Sequence, residues 1–274
     1  MKGLFHGLRN ALAFFALTIA GSARPARAQL GEAGVATTLG DRFLQTNSPL
    51  VNEKGVFEAL ITHRFNEPVY TAGFERLFGL DSGNTYGLGV EYSFLPGVSF
   101  QLYRASVYAD YEFAFKANLV RPKASLPLGL GVRAGLNWLT AAYGPKQSSF
   151  FGQVLVSYTI ADRVTIAAAP SYTDKTPFQE HQFNVPINIQ VKITRSIAAI
   201  GEYVPKKNFV PDSVAQWSFG VEKAVYHHKF MLWIGNSRAT TVDQYLGGDF
   251  VGGVTDSNIR IGFNLTRAWD VATK

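Results

Sequence analysis

The sequence predicts an all-β protein, a transmembrane antiparallel up-and-down β-barrel of outer-membrane type with about twelve strands. Apolar and polar residues alternate along most of the chain, as in residues 183 to 193, where Phe183, Val185, Ile187, Ile189, Val191 and Ile193 interleave with Asn184, Pro186, Asn188, Gln190 and Lys192. Side chains in a strand repeat every two residues, so such a segment has one greasy face and one wet one. The connections between these segments alternate between long and tight, as they do in barrels with loops at one end and turns at the other. The chain also opens with the marks of export.

Those marks are Lys2 and Arg9, then the apolar run "ALAFFALTIAG" from Ala11 to Gly21, then Ala26-Arg27-Ala28. A basic start, a short apolar core and small residues at this spacing predict a signal peptide over residues 1–28, cut between Ala28 and Gln29. Eleven apolar residues are too few to cross a bilayer as a helix. Removing residues 1–28 takes away Lys2, Arg9, Arg24 and Arg27, so the formal charge falls from +6 to +2 (6 − 4). A nearly balanced surface lacks the basic footprint of a nucleic-acid binder. With no cysteine in the sequence, disulfides and thiolate metal sites are excluded. Residues 29–54 read as a periplasmic N-terminal segment and residues 55–274 as one barrel.

Period-two segments between turn signals place the strands. The first covers about 55–65 ("GVFEALITHRF") and the second 85–94, and "LPG" turns into a third at 98–104. The fourth spans 107–118, the fifth 125–138, the sixth 149–160 and the seventh 164–173. The segment already quoted is the eighth, followed by 196–204, 216–224, 228–237 and 258–267. Long connections such as "NEPVYTAGFERLFGLDSGN" and "ATTVDQYLGGDFVGGVTDS" alternate with tight ones such as "LPG", "ADR", "TRS" and "VYHH". Only the connection near Ser106 is short at the long-loop end.

Alternation alone fits an exported β-sandwich too. A cylinder of twelve strands, however, is wider than side chains can fill, so its apolar face belongs outside, against lipid. Trp138, Tyr172, Tyr203 and Trp217 toward the long loops, with Phe94 and Tyr158 toward the turns, fit two interfacial aromatic girdles. Parity then assigns the inward, lumen-lining charged and polar set: Glu58, Arg64, Glu91, Asp110, Glu112, Lys116, Arg133, Gln153, Asn188, Lys192, Glu202, Glu222, Lys229 and Arg260, with Gln101, Asn137, Gln190 and Asn264. Six of these are acidic and six basic, which offers no single sign for an ion filter and favours pairing across the bore. Inward Gly129, Gly131, Gly135, Gly220 and Gly262 leave space for a narrow path or for a plug.

The stretches "GVFEALITHRF", "FGLDSGNTYGLGVEYSF" and "HHKFMLWIGNS" followed by "NIRIGFNLTRAW" resemble a bacterial membrane-bound β-barrel family of unknown function (DUF5777 type). The similarity runs over most of the chain after the export signal, and its C-terminal block is the most specific part. The resemblance implies a barrel and brings no activity with it. Met231 and Trp233, inward on strand eleven, depart from the more polar family pattern and argue against a fully hydrated lumen.

The functional expectation is a narrow passive channel or porin-like transporter for a small polar solute, in the outer membrane of a Gram-negative cell. The alternative is a closed-bore scaffold that binds a periplasmic or surface partner. The remaining partners expected are outer-membrane lipid and the barrel-assembly machinery, which would read the last strand with Ile259, Ile261, Phe263 and Leu265 outward; nucleic acid is not among them. A barrel lipid hydrolase using His63 and Ser106 is a third reading, weakened because the second strand separates the two. His227 and His228 are neighbours in a turn, and His181 follows Glu180 in a loop, without the spacing of a zinc site. "GGDFVGG" lacks the strand-to-helix setting and the lysine of a phosphate cradle. No cofactor or catalytic set is expected.

Overall fold

The computed structural model describes residues 40–141, 146–177, 180–205, 214–247 and 258–271. The export signal, with Ala28 and Gln29, and all of the "GGDFVGG" stretch after Gly247 lie outside the described residues. Fourteen strand segments form one antiparallel sheet: β1 (Val56–Phe65), β2 (Asn84–Leu95), β3 (Val98–Ala105), β4 (Asp110–Val120), β5 (Leu128–Leu139), β6 (Gln147–Ile160), β7 (Val164–Ala168), β8 (Ser171–Lys175), β9 (Glu180–Asn184), β10 (Ile187–Lys192), β11 (Ile197–Val204), β12 (Gln216–Val225), β13 (His228–Gly235) and β14 (Arg260–Asp270).

Two of the strands are each split by a proline. Pro170 separates β7 from β8 and Pro186 separates β9 from β10, because proline has no N–H to give to the ladder. The Ala169 N–H donates to the Pro186 carbonyl at 2.9 Å, so the two breaks sit side by side. Counting each pair as one strand, the barrel has twelve. It is closed: β1 pairs with β14 and β5 with β6, while every other strand pairs with its sequence neighbours. The fold class read from alternation and loop asymmetry is therefore the one present.

The alternation maps onto the two faces, with register irregularities only between Tyr92 and Leu95 and between Asn118 and Val120 among the described pairings. Asn188 and Gln190 are buried, whereas Ile187 and Ile189 are 46% and 44% exposed. Around the ring Leu88, Phe115, Val132, Phe150, Ile166, Phe219, Leu232 and Ile234 are likewise exposed large apolar side chains. Water would not tolerate an apolar band of this extent on a monomer, and hydrocarbon would. Trp138, Tyr158, Tyr172 and Tyr203 stand exposed near strand ends. No helix among the described residues is long and apolar enough to cross a membrane.

The interior is the departure from expectation. Residues 40–52 are all buried, and so are most residues from Asn236 to Gly247. The first group belongs to the segment assigned to the periplasm, and its described part lies inside the barrel. The second belongs to the longest loop, between β13 and β14, whose described part up to Gly247 lies in the bore and forms a short helix, α1 (Val242–Leu246). A twelve-stranded wall leaves room that its own side chains cannot fill, and these two inserts fill it.

Candidate functional site

The first insert enters ahead of β1 as a tight hairpin. Arg42 and Asn47 pair as an isolated antiparallel bridge, the Phe43 N–H donates to the Thr46 carbonyl at 2.9 Å and the Ser48 N–H to the Asp41 carbonyl at 3.0 Å. The hairpin tip is held by Glu202 of β11. Its carboxylate accepts the Gln45 N–H at 2.7 Å, the Thr46 N–H at 3.0 Å and the Thr46 hydroxyl at 2.7 Å. Charge-assisted bonds of this kind are about twice as strong as neutral ones. On one flank Lys229 Nζ lies 2.7 Å from Asp41 Oδ1, and Lys116 Nζ reaches both the Asp41 carbonyl and Glu91 at 3.2 Å. Asn264 donates to the Leu44 carbonyl at 2.7 Å, and Asn118 to the Pro49 carbonyl at 2.8 Å.

Beneath these polar ties lies an apolar seat. Phe43, Leu44 and Leu50 cluster with Ala167, Ile200, Met231 and Trp233 of the wall, each at most 4% exposed. Met231 and Trp233, unsuited to a hydrated lumen, are thus the receiving surface for the insert. The inward glycines serve the same fit. A Cβ on Gly131 would lie 3.0 Å from the Pro49 carbonyl oxygen, and one on Gly220 would lie 2.5 Å from the Trp233 Cβ. Arg64 places its guanidinium 4.9 Å from the centre of the Trp233 ring.

The second insert is fastened to β4, β6 and β12. Thr241 Oγ1 donates to Asp110 at 2.6 Å, the Val242 N–H to Glu112 at 2.8 Å and Gln244 Nε2 to Asp110 at 3.1 Å. Gln153 donates to the Tyr245 hydroxyl at 2.7 Å, and Gln216 to the Tyr245 carbonyl at 2.9 Å. Arg133 ties the wall together behind it, through Gln101 at 2.7 Å, Gln153 at 3.0 Å and an ion pair with Glu112. Val242, Tyr245 and Leu246 close a second apolar cluster with Ala114, Phe151 and Ala239. Burial, and then the neighbouring charge of Asp110, pushes the Asp243 carboxyl well above the ordinary carboxylate range. The two inserts touch each other: the Ser237 hydroxyl donates to Gln45 Oε1 at 3.3 Å.

The residues assigned to the lumen by parity divide between these contacts. Glu91, Lys116, Glu202, Asn188 and Lys229 face the first insert, and Asp110, Glu112 and Gln153 the second, with Arg133 behind them over the Phe151 ring. Glu58 is within 3.4 Å of Asn52, and Glu222 is buried. Lys192 is only half-buried, near the turn end of β10. Arg260 donates to the carbonyls of Asn66 at 2.9 Å and of Asn236 and Asn258 at 3.1 Å, at the mouth. There it helps line an open cleft of about 640 Å³ together with Glu67, Arg76, Asp81 and Arg238. Asp41, Arg42, Thr46 and Asp243 were missed by parity, since they lie on no strand.

His63 and Ser106 stay apart. His63 stacks on Phe263 of β14 at 4.8 Å, while Ser106 Oγ accepts the Tyr86 N–H at 3.0 Å, and no hydrogen bond joins the two residues. His181 lies in β9 rather than in a loop, its Nδ1 2.8 Å from the Tyr172 hydroxyl. Among the described residues no group of histidine and carboxylate side chains is placed to hold a metal ion.

The barrel has counterparts among solved structures. An outer membrane channel from Pseudomonas putida F1 is similar at a TM-score of 0.52 and 9% identity, over 80% of this chain and 97% of that one. Weaker likenesses are to the outer membrane phospholipase A of Escherichia coli, at 0.45 and 9% identity over 86% and 98% of the two chains, and to OmpT, an outer membrane protein of Vibrio cholerae, at 0.39 and 10% over 80% and 99%. At these identities the likeness is one of fold. No curated protein matches the sequence. Residues 39–269 match the family model described as a membrane bound beta barrel domain (DUF5777). With most of its length covered, from the first insert through the last strand, the chain belongs to that family of membrane-bound β-barrels.

Proposed function

We propose that the protein is a gated conduit of the outer membrane for a small polar solute, shut at rest by its two inserts. The observation that carries this reading is the way the inserts are held. Neither adds a strand to the wall; Glu202, Asp110 and Glu112 grip them through side-chain hydrogen bonds. Such bonds exchange with water one at a time, each at a net cost of about 0.5–3 kcal/mol, so an insert can leave without opening the barrel. The wall left behind is lined by acidic and basic residues in equal number, which suits polar solutes without imposing one sign of charge.

Planar-bilayer recording tests this. The full chain should show little conductance, and a chain lacking residues 40–52 and shortened between 237 and 257 should conduct. A folded barrel of the shortened chain with neither conductance nor solute flux would overturn it.

A second reading is a closed-bore scaffold that presents its loops or N-terminal segment to a partner. The two apolar clusters favour it, because Phe43, Leu44, Val242 and Leu246 pack as a fixed core would. On that reading the shortened chain fails to fold, and the intact protein co-purifies with its partner from native membranes.

A further inference from the structure

The long loop from Asn66 to Gly83 carries apolar side chains that no other described residue covers. Tyr70 is 79% exposed, Phe74 78%, Leu77 and Phe78 47% each and Leu80 45%. At about 200 Å² for a large side chain, this amounts to roughly 500 Å² of apolar surface on one loop, the size of patch that marks an interaction site. The loop is not loose. Val69 N–H donates to the Ile259 carbonyl at 2.8 Å, the Phe78 N–H to the Gly73 carbonyl at 2.7 Å, and Arg76 forks onto Glu67 at 3.0 and 3.1 Å. Leu77 and Phe78 hold φ of 45° and 56°, a left-handed backbone that bulky residues rarely adopt. A fixed loop in a costly conformation that displays grease has a surface to meet.

We infer that this loop is a membrane foot, which lays Phe74, Leu77 and Phe78 into the lipid leaflet at the long-loop end of the barrel, at the boundary between headgroups and acyl chains. Continuity with the lipid-facing wall identifies the occupant. The loop leaves β1 at outward Phe65, whose ring neighbour His63 stacks on Phe263, and returns to β2 just before Tyr86 and Leu88, which are 38% and 45% exposed. The greasy surface thus runs from wall to loop on the same two strands. Aromatic rings at this depth anchor membrane proteins, and an exposed arginine such as Arg76 can reach the headgroups beside them.

The natural absence of cysteine makes the test direct. Single substitutions Phe74→Cys, Phe78→Cys, Leu88→Cys and Asp81→Cys, each nitroxide-labelled, are placed in vesicles of phosphatidylethanolamine and phosphatidylglycerol. Collision with oxygen, which concentrates in hydrocarbon, is compared with collision with a water-soluble nickel chelate. Labels at 74 and 78 should resemble the wall position 88, with an oxygen-to-nickel ratio several-fold above that at 81. Labels at 74 and 78 that match 81 would show the loop in water and overturn the inference. Labels reached by neither relaxant would also overturn it, by showing a protein surface on the patch, whether a second copy or another chain.

Discussion

Glu202→Gln is the substitution that most directly interrogates the first insert. The native carboxylate accepts three hydrogen bonds, from two backbone N–H groups and one hydroxyl, within 2.7–3.0 Å. A glutamine at the same place keeps one acceptor oxygen and turns an NH2 group toward a backbone N–H, so at least one buried donor loses its partner. A lost bond to a charged acceptor is worth about 1.5–3 kcal/mol, and a stranded buried N–H costs about 1–3 kcal/mol, terms that overlap. The seat of the hairpin tip should therefore weaken by roughly 2–4 kcal/mol, while the β10–β11–β12 ladder, whose register does not depend on that side chain, stays intact. At about 1.4 kcal/mol per factor of ten, the displaced population rises by about 30- to 1,000-fold. Hydrogen exchange read by mass spectrometry reports it: peptides covering residues 41–48 should exchange faster by that factor, and the strand peptides should not. Unchanged exchange at 41–48, or equal acceleration across the whole barrel, would refute the account of Glu202 as a local clasp.

Phe43→Ala empties the apolar seat against Met231 and Trp233 and should cost about 3–5 kcal/mol at the insert, visible as proteolytic cleavage within residues 40–52 of an otherwise intact barrel. Ile189→Arg puts a guanidinium on the lipid face and should lower stability in bilayers by about 2–4 kcal/mol, whereas Asn188→Leu loses only a bond from the Thr46 hydroxyl; equal urea midpoints for the two would reverse the assigned faces. The second insert should respond to pH through Asp243. Its carboxyl titrates above the ordinary value, so the stability it supports is complete below that value and is lost as pH rises through the raised one. Exchange at residues 241–246 should accelerate across that rise, and Asp243→Asn should weaken the dependence; a flat profile in the native chain would contradict it.

What could be read from the residues follows from what periodicity encodes. A two-residue period fixed which side of Ile187–Lys192 meets lipid and which meets the bore, and the lengths of the connections separated the two ends. The splits at Pro170 and Pro186 were hidden inside runs whose alternation continues through them: Asn184, Pro186 and Asn188 all point inward, and only the ladder hydrogen bonds reveal the gap. The inserts were invisible to periodicity because "GDRFLQTNSPLVN" and "NSRATTVDQYL" have none; their burial depends on the width of a wall built elsewhere. Signals did exist in Met231, Trp233 and the glycines opposite them. They marked an apolar, recessed seat, but a seat does not name the segment that fills it. The six acidic and six basic lumen residues balance only on paper, since in the folded chain Asp41, Arg42 and Asp243 of the inserts join them and redirect several of the pairs.

The placement of the inserts also bears on assembly. One is attached just ahead of β1 and the other lies between β13 and β14 in the chain, and β1 and β14 are the two strands that zip together over nine residue pairs to seal the cylinder. The stuffing and the zipper share the same stretches of chain. As the nascent sheet curls and its first and last edges approach, each edge draws its own filling with it, so a vacant ring need never form on the way to the finished molecule.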